Sequence, residues 1–253
     1  MEIAVIGAGG FVGAAFIRQL HTRGYSPEEV RRETFGQHNA KKWDLVVDAA
    51  SNSRKYLAEK EPWKDFELTA IHKATVLKLY PAHFHLHVSS VDVYTDLSGP
   101  ETTKEDSPAG CGASCYGFNK WLSEEMVRFH AHHHLICRLA GMVGPGLKKN
   151  PVYDILHRTP ITIHPESQYQ FLNTDDAARL CLELWERGCD RQIFNICGKG
   201  LISPIEIARL ASCPLQLGKY ESSPRIVHID QQKLEAMCEI PCTVDVVRSF
   251  LKA

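Results

Sequence analysis

Several features common in other proteins are missing from this 253-residue chain. No hydrophobic run approaches the roughly 20 residues that a bilayer span requires. The apolar stretches, such as residues 3–10 and 45–50, are short, so no membrane segment is expected. There is no surplus of charge either. The formal net charge is −1, which leaves no global field to recruit nucleic acid or an anionic membrane. There is no C-x-x-C pair. The nine cysteines are odd in number, and their closest spacings are Cys111–Cys115 and Cys238–Cys242. A zinc ribbon or disulfide framework is not indicated, and reduced thiols in a cytoplasmic protein fit better. A strand-like segment follows Met1 directly, so no signal peptide is expected. Repeats, low-complexity tracts and flexible linkers are lacking too, and the chain reads as one compact unit. What remains is ordinary globular material, 44% apolar and 23% charged, long enough for a sizeable core in one or two domains.

The hydrophobic pattern alternates between strands and helices. Residues 1–6 read as a buried strand. Residues 11–23 follow as a helix with Phe11, Val12, Ala15, Phe16 and Leu20 on one face, closed by Gly24. A short second strand is expected over 29–32 and a buried strand over 43–50. A long helix is expected over 62–79, a strand over 83–93, an amphipathic helix over 116–130 and a strand over 135–140. Beyond that, prolines at 145, 151, 160 and 165 predict loops with one short helix. A helix over 174–187 with an N-cap-like Thr174 comes next, then a strand over 192–197. Ser203 and Glu206 form a capping box that opens a helix to Ala211. Such alternation predicts a parallel, doubly wound α/β sheet. Residues 1–140, completed by 172–198, would form it, and 141–253 would supply mainly a small C-terminal lobe.

Between the first strand and helix lies Gly7-Ala8-Gly9-Gly10-Phe11-Val12-Gly13. Gly7, Gly10 and Gly13 give G-x-x-G-x-x-G. The glycines permit the tight turn, the close backbone approach to a pyrophosphate and the close helix–strand packing of a dinucleotide site. Gly7, Gly10, Phe11, Val12 and Gly13 are therefore candidate cofactor-binding residues, with the helix N-terminus facing the anion. The end of the second strand is expected at Arg31 or Arg32. Guanidinium groups there favour the 2′-phosphate of NADP(H), whereas Glu33 keeps NAD(H) open.

Two tyrosines precede a lysine at i+4, in "YLAEK" (Tyr56, Lys60) and in "YGFNK" (Tyr116, Lys120). Either spacing puts a phenol and an ammonium on one helical face, so spacing alone does not choose between them.

The glycine loop, "SSVDVY" at 89–94 and "YGFNK" at 116–120 together resemble an extended short-chain dehydrogenase/reductase of the NAD-dependent epimerase/dehydratase family. "WDLVVDAAS" at 43–51, "RLAGMVGPG" at 138–146, "QFLNTDDAARL" at 170–180 and "IFNICGKGLISPIEIA" at 193–208 extend the resemblance over nearly the whole chain. It implies a Rossmann fold with a substrate-binding lobe. It also implies a sugar or nucleotide-sugar-like small-molecule substrate and pairing of subunits into a homodimer. The resemblance selects Tyr116, which follows a serine-bearing strand, over Tyr56. It implies that Tyr116 exchanges a proton with a substrate hydroxyl or carbonyl and that Lys120 favours phenolate and holds the nicotinamide ribose. Ser90 would bind the substrate oxygen, with Ser89 as the neighbour that alternation should turn away. Ala49, Ala50 and Ser51 would line the cofactor. A cofactor-binding sensor without turnover is the alternative.

Some positions depart from the family. Val91 replaces the acid of the dehydratase Thr-Asp-Glu set, which points to a reductase, dehydrogenase or epimerase. Only ten residues separate Arg32 from Trp43, which implies a shortened sheet. Gly141 stands where the family's phosphate-contacting asparagine is expected, and Thr69 where an active-site asparagine is common. His83, His85 and His87 share one strand face, and His130, His132, His133 and His134 precede the neighbouring strand. They are read as packed or polar histidines remote from the chemistry, with no metal expected.

Overall fold

A computed structural model describes residues 1–37, 41–220 and 222–252. The chain opens with β1 (Ile3–Ile6), α1 (Gly13–Thr22), β2 (Glu28–Val30) and β3 (Trp43–Asp48). Next come α2 (Lys55–Lys60), α3 (Pro62–Phe66) and α4 (His72–Leu79), then β4 (Ala82–Ser90), α5 (Cys115–His130) and β5 (His134–Leu139). The later elements are β6 (Gly141–Val143), α6 (Pro151–Leu156), β7 (Phe171–Asn173), α7 (Thr174–Glu186), β8 (Gln192–Ile196), α8 (Pro204–Leu210), α9 (Gln232–Glu235) and α10 (Thr243–Lys252).

Six strands form one sheet in the order β2-β1-β3-β4-β5-β8, with every pairing parallel. Parallel strands need crossovers, and the crossover helices cover both faces, so the strands are apolar on both sides. Alternation along β1 shows this division. Ile3 and Val5 join a cluster with Phe16 and Leu20 of α1 and Leu180 of α7, while Ala4 and Ile6 join Val76 and Tyr80 on the other face. The larger cluster runs on to Val247 in α10, which ties the C-terminal segments to the sheet.

Local chemistry shifts several expected boundaries. The first helix starts at Gly13 rather than Phe11, because the glycine turn extends through Val12. The second strand stops at Val30, so Arg31 and Arg32 lie just beyond its end. The strand expected to reach Val93 ends at Ser90, and Val91–Val93 makes a 3₁₀ turn. Thr174 is not the cap of α7: the Asn173 side chain accepts from the Asp175 amide at 2.9 Å. The expected long helix over 62–79 is present, but a π turn over Glu67–Ile71 interrupts it. Gly24 closes α1 with φ +80°, and Ser203 and Glu206 form the expected capping box. The sheet passes from β1 directly to edge strand β2, so it is shortened on that side among the described residues. The small β6–β7 sheet and helix α10 were not anticipated.

Candidate active site

The crevice lies at the carboxyl ends of the strands, where β1, β3 and β4 run into loops. After β1, Gly7 takes φ +82° and its amide donates to the Val30 carbonyl at 2.9 Å. A Cβ on Gly13 would lie 2.0 Å from the Gly7 carbonyl oxygen, so α1 can sit this close only with glycine there. The amides of Phe11 and Val12 donate to no backbone acceptor among the described residues. They are left free at a helix N-terminus, where an anion is favoured. These residues fit a dinucleotide pyrophosphate.

Ala50, at the end of β3, lies against Gly7. The neighbouring Ser51 hydroxyl accepts from the Lys120 ammonium, so Ala49–Ser51 link the glycine loop to α5. At the far side of the crevice Arg31 is exposed and paired with Glu29 at 2.8 Å. Arg32 and Glu33 are exposed as well.

Helix α5 delivers the tyrosine and lysine. The Ser114 hydroxyl caps it by accepting from the Gly117 amide at 3.1 Å. A Cβ on Gly117 would stand 1.9 Å from the Asp92 carbonyl oxygen. The missing side chain lets the first turn of α5 press against the turn that carries Ser90. Tyr116 is 7% exposed and Lys120 4%, and the ammonium lies 5.6 Å from the tyrosine ring centroid. Burial holds the Tyr116 phenol well above its usual value. The charges of Asp92 and Asp65 add to that, and a side-chain hydrogen bond with Ser90 opposes it. Burial, reinforced by the charge of Lys73, pulls Lys120 down from 10.5 to about 8, while Asp48, Asp65 and Asp92 resist. In the protein alone the pair is therefore a protonated phenol beside an ammonium that holds its proton less tightly than usual.

The two serines of β4 point apart. Ser90 donates to Asp92 at 2.8 Å, and Lys55 pairs with the same carboxylate at 2.6 Å. Ser89 instead donates to Glu124, which forms a buried ion pair with Arg138 at 2.7 Å. The Arg138 guanidinium also lies over the Tyr94 ring at 4.8 Å, and Tyr94 donates to Asn195 at 2.9 Å. A cavity of about 310 Å³ opens beside Asp92, Tyr94, Ser114 and Arg225. By contrast, Tyr56 is more than half exposed and Lys60 is at the surface.

Sequence reasoning missed the polar layer beneath this site. Asp65 is fully buried and receives Asn52 at 2.7 Å, Asn119 at 2.8 Å and Thr69 at 3.3 Å. Thr69 thus faces a carboxylate held by two asparagines. Asp48 and Lys73, both buried, form an ion pair, and Asp48 also accepts from the Ala50 amide at 3.0 Å. The available signal was an acid and a lysine inside otherwise apolar or helical runs, which have to be paired when buried. A Cβ on Gly141 would meet the Gln170 carbonyl at 2.6 Å, so β6 leaves no room for the asparagine the family pattern predicts.

The histidines cluster as the strand neighbourhood implied. His85 stands opposite His134 in the β4–β5 register, and the His83 and His133 rings are 4.8 Å apart. Burial pushes His85 down to about 4 and holds His87 well below its ordinary value, so both are neutral packing groups. Among the described residues no group of three or more His, Cys, Asp or Glu is arranged to hold a metal ion.

The fold and crevice define a Rossmann-type enzyme that uses a nicotinamide cofactor. Residues 3–197 match the model of the NAD dependent epimerase/dehydratase family, and the chain belongs to that family. No curated protein sequence matches it. Among solved structures, a UDP-galactose 4-epimerase is similar at 22% identity and TM-score 0.82, over 100% of this chain and 98% of that one. MoeE5 in complex with UDP-glucuronic acid and NAD is similar at 16% identity and TM-score 0.81, over 100% and 99%. A dTDP-4-dehydrorhamnose reductase from Bacillus anthracis in complex with NADP is similar at 16% identity and TM-score 0.80, over 100% and 98%. At these identities the likeness establishes the fold. Among the described residues no helix is long and apolar enough to cross a membrane.

Proposed function

We propose that this protein is an epimerase, dehydrogenase or reductase acting on a hydroxyl or carbonyl of a sugar or nucleotide-sugar-like substrate, with Ser90, Tyr116 and Lys120 as its catalytic residues and NADP(H) as its preferred cofactor. The observation that carries the reading is the convergence of Tyr116, Lys120 and Ser90 at the end of the crevice that begins at the glycine loop. The nicotinamide, when bound, supplies the hydride acceptor or donor. Everything else falls to the chain. Gly7, Gly10, Phe11, Val12 and Gly13 hold the pyrophosphate. Ala49, Ala50 and Ser51 line the middle of the site, and Lys120, held by Ser51, binds the ribose. Arg31 and Arg32, exposed just past β2, would receive a 2′-phosphate, with Arg31 exchanging its contact with Glu29 for it.

Tyr116 donates its proton to a carbonyl in the reductive direction, the role its raised pKa suits as the site stands. Accepting a proton requires phenolate, which the Lys120 ammonium and the positive charge of an oxidised nicotinamide favour. Ser90 has a single proton, which it gives to Asp92, and its oxygen accepts from the Asp92 amide at 3.3 Å, which leaves one lone pair to receive a substrate hydroxyl. Lys55 weakens the hold of Asp92 on that proton. Exposed apolar side chains on α3 and α5, including Trp63 at 79% and Phe129 at 85%, support pairing of two subunits through these helices. The even charge balance and scattered thiols support a cytoplasmic location.

The Tyr116→Phe variant tests the mechanism. Turnover with the best nucleotide sugar found by screening should fall by roughly 10²–10⁴-fold, while NADP(H) affinity stays the same. Unchanged cofactor-dependent turnover would refute the assignment.

A further inference from the structure

Two segments beside the candidate active site carry cations, two of them without an ion-pair partner among the described residues. Arg54 and Lys55 follow β3, and Lys149 lies in the loop after β6. Lys55 is matched by Asp92. Arg54 and Lys149 have no ion-pair partner among the described residues, and Asp92 is the acid whose charge Lys149 feels. Lys149 nevertheless reaches out of its own loop. Its ammonium donates to the Ser53 carbonyl and, at 3.4 Å, approaches the Ser53 hydroxyl. The residue is exposed, yet its ammonium is held against the backbone next to Arg54 and Lys55, whose charges it feels. Burial, then Lys55 and Arg54, bring its pKa from 10.5 to about 8. Gathering like charges and stripping water from one of them costs stability. An oxyanion bound among them offsets that cost through charge-assisted hydrogen bonds.

The position of the cluster limits what that anion can be. Gly7 touches Ala50, and Ser51 holds Lys120, so the cofactor's path is accounted for up to residue 51. Residues 53–55 continue past it toward Asp92, the partner of Ser90. The unmatched cations therefore lie on the substrate side of Lys120, away from the glycine loop. We propose that Arg54 and Lys149 bind an anionic substituent, a carboxylate or phosphoryl group, carried by the substrate close to the carbon that faces Tyr116. The proposal rests on reading Tyr116 as the acid–base residue, because that reading fixes which side of the crevice is the substrate's. Asp92 does not cancel the site, since its one negative charge is met by Lys55.

The test uses the full chain with NADP(H) bound and three probes: glucuronic acid, glucose 6-phosphate and glucose. Binding is followed by saturation-transfer NMR at low ionic strength. At least one charged sugar should bind about ten-fold tighter than glucose or better, with added salt eroding the difference. Which charged sugar binds more tightly tells carboxylate from phosphoryl. An Arg54→Met/Lys149→Met double variant should bring the preference to within about two-fold while NADP(H) affinity holds. Absence of any preference for the charged sugars overturns the proposal, as does a preference that survives in the double variant. A fall in NADP(H) affinity in that variant would assign the cations to the cofactor and overturn it too. Failure of the catalytic reading shows separately, because Tyr116→Phe should leave charged-sugar binding intact even if its turnover does not change.

Discussion

Replacing Lys120 with methionine should make the protein more stable while removing its chemistry. The ammonium is almost wholly buried, and its surroundings bring its pKa from 10.5 to about 8. Each tenfold change in proton affinity is worth about 1.4 kcal/mol, so holding the charged form in the folded protein costs about 3 kcal/mol at neutral pH. Methionine has a similar length and no charge. It gives up the hydrogen bond to Ser51, worth about 1 kcal/mol, so the net gain should be about 2 kcal/mol at pH 7. The sign depends on pH. Between pH 8 and 10.5 the unfolded chain keeps the Lys120 proton and the native one releases it, so the stability of the unaltered protein rises through that window. The advantage of Lys120→Met is therefore full below pH 8 and fades toward pH 10.5. Urea unfolding of both proteins from pH 6 to 10 measures it. A variant that is less stable at pH 7, or an advantage that does not shrink above pH 8, would refute the reasoning. Cofactor affinity should fall in the same variant, because the ribose loses its partner.

Other outcomes follow from the same geometry. Lys73→Met leaves Asp48 buried without its cation and should cost about 3–5 kcal/mol. A Lys73→Met/Asp48→Leu double variant should recover much of that loss in denaturant titrations. Gly117→Ala forces a Cβ into the Asp92 carbonyl and should cost about 3 kcal/mol, with a lower melting temperature and weakened turnover as the Ser90 turn moves. Arg31→Ala/Arg32→Ala should weaken NADP(H) about ten-fold or more and leave NAD(H) nearly unchanged, as fluorescence titration would report. Equal losses for both cofactors would place the 2′-phosphate elsewhere.

The fold was legible because its signals are local. A buried strand, three spaced glycines and an amphipathic helix lie within residues 3–22, and each later strand–helix unit repeats that grammar. The short interval before Trp43 carried enough information to predict a sheet that ends at β2. Boundaries were less legible, since caps compete over one or two residues. Asn173 and Thr174 are both good caps, and only the observed turn shows that Asn173 takes the Asp175 amide. The β6–β7 pair was hidden because three-residue strands separated by nearly thirty residues leave no periodic trace.

The polar layer under the site was illegible for a different reason: its partners come from separate elements. Asp48 ends β3 and Lys73 lies on α4, while Asn52, Asp65 and Asn119 come from a loop and two helices. Asp48 and Lys73 stand out only as charges within buried or helical runs, Asn52, Asp65 and Asn119 read as ordinary surface residues, and only the fold shows that none can reach water. Their convergence has an electrostatic consequence for the residues that were legible. A tyrosine four residues before a lysine suggests phenolate and ammonium, but here burial, with the charges of Asp92 and Asp65, raises Tyr116, while burial and Lys73 lower Lys120. The site without ligand therefore holds a protonated phenol beside an ammonium that gives up its proton more readily than usual. A positively charged nicotinamide, when bound, would shift the phenol toward phenolate. The proton affinities of the pair are thus set by burial and then by the charges of residues 48, 65, 73 and 92, none of which belongs to the Ser–Tyr–Lys pattern that pointed to the site.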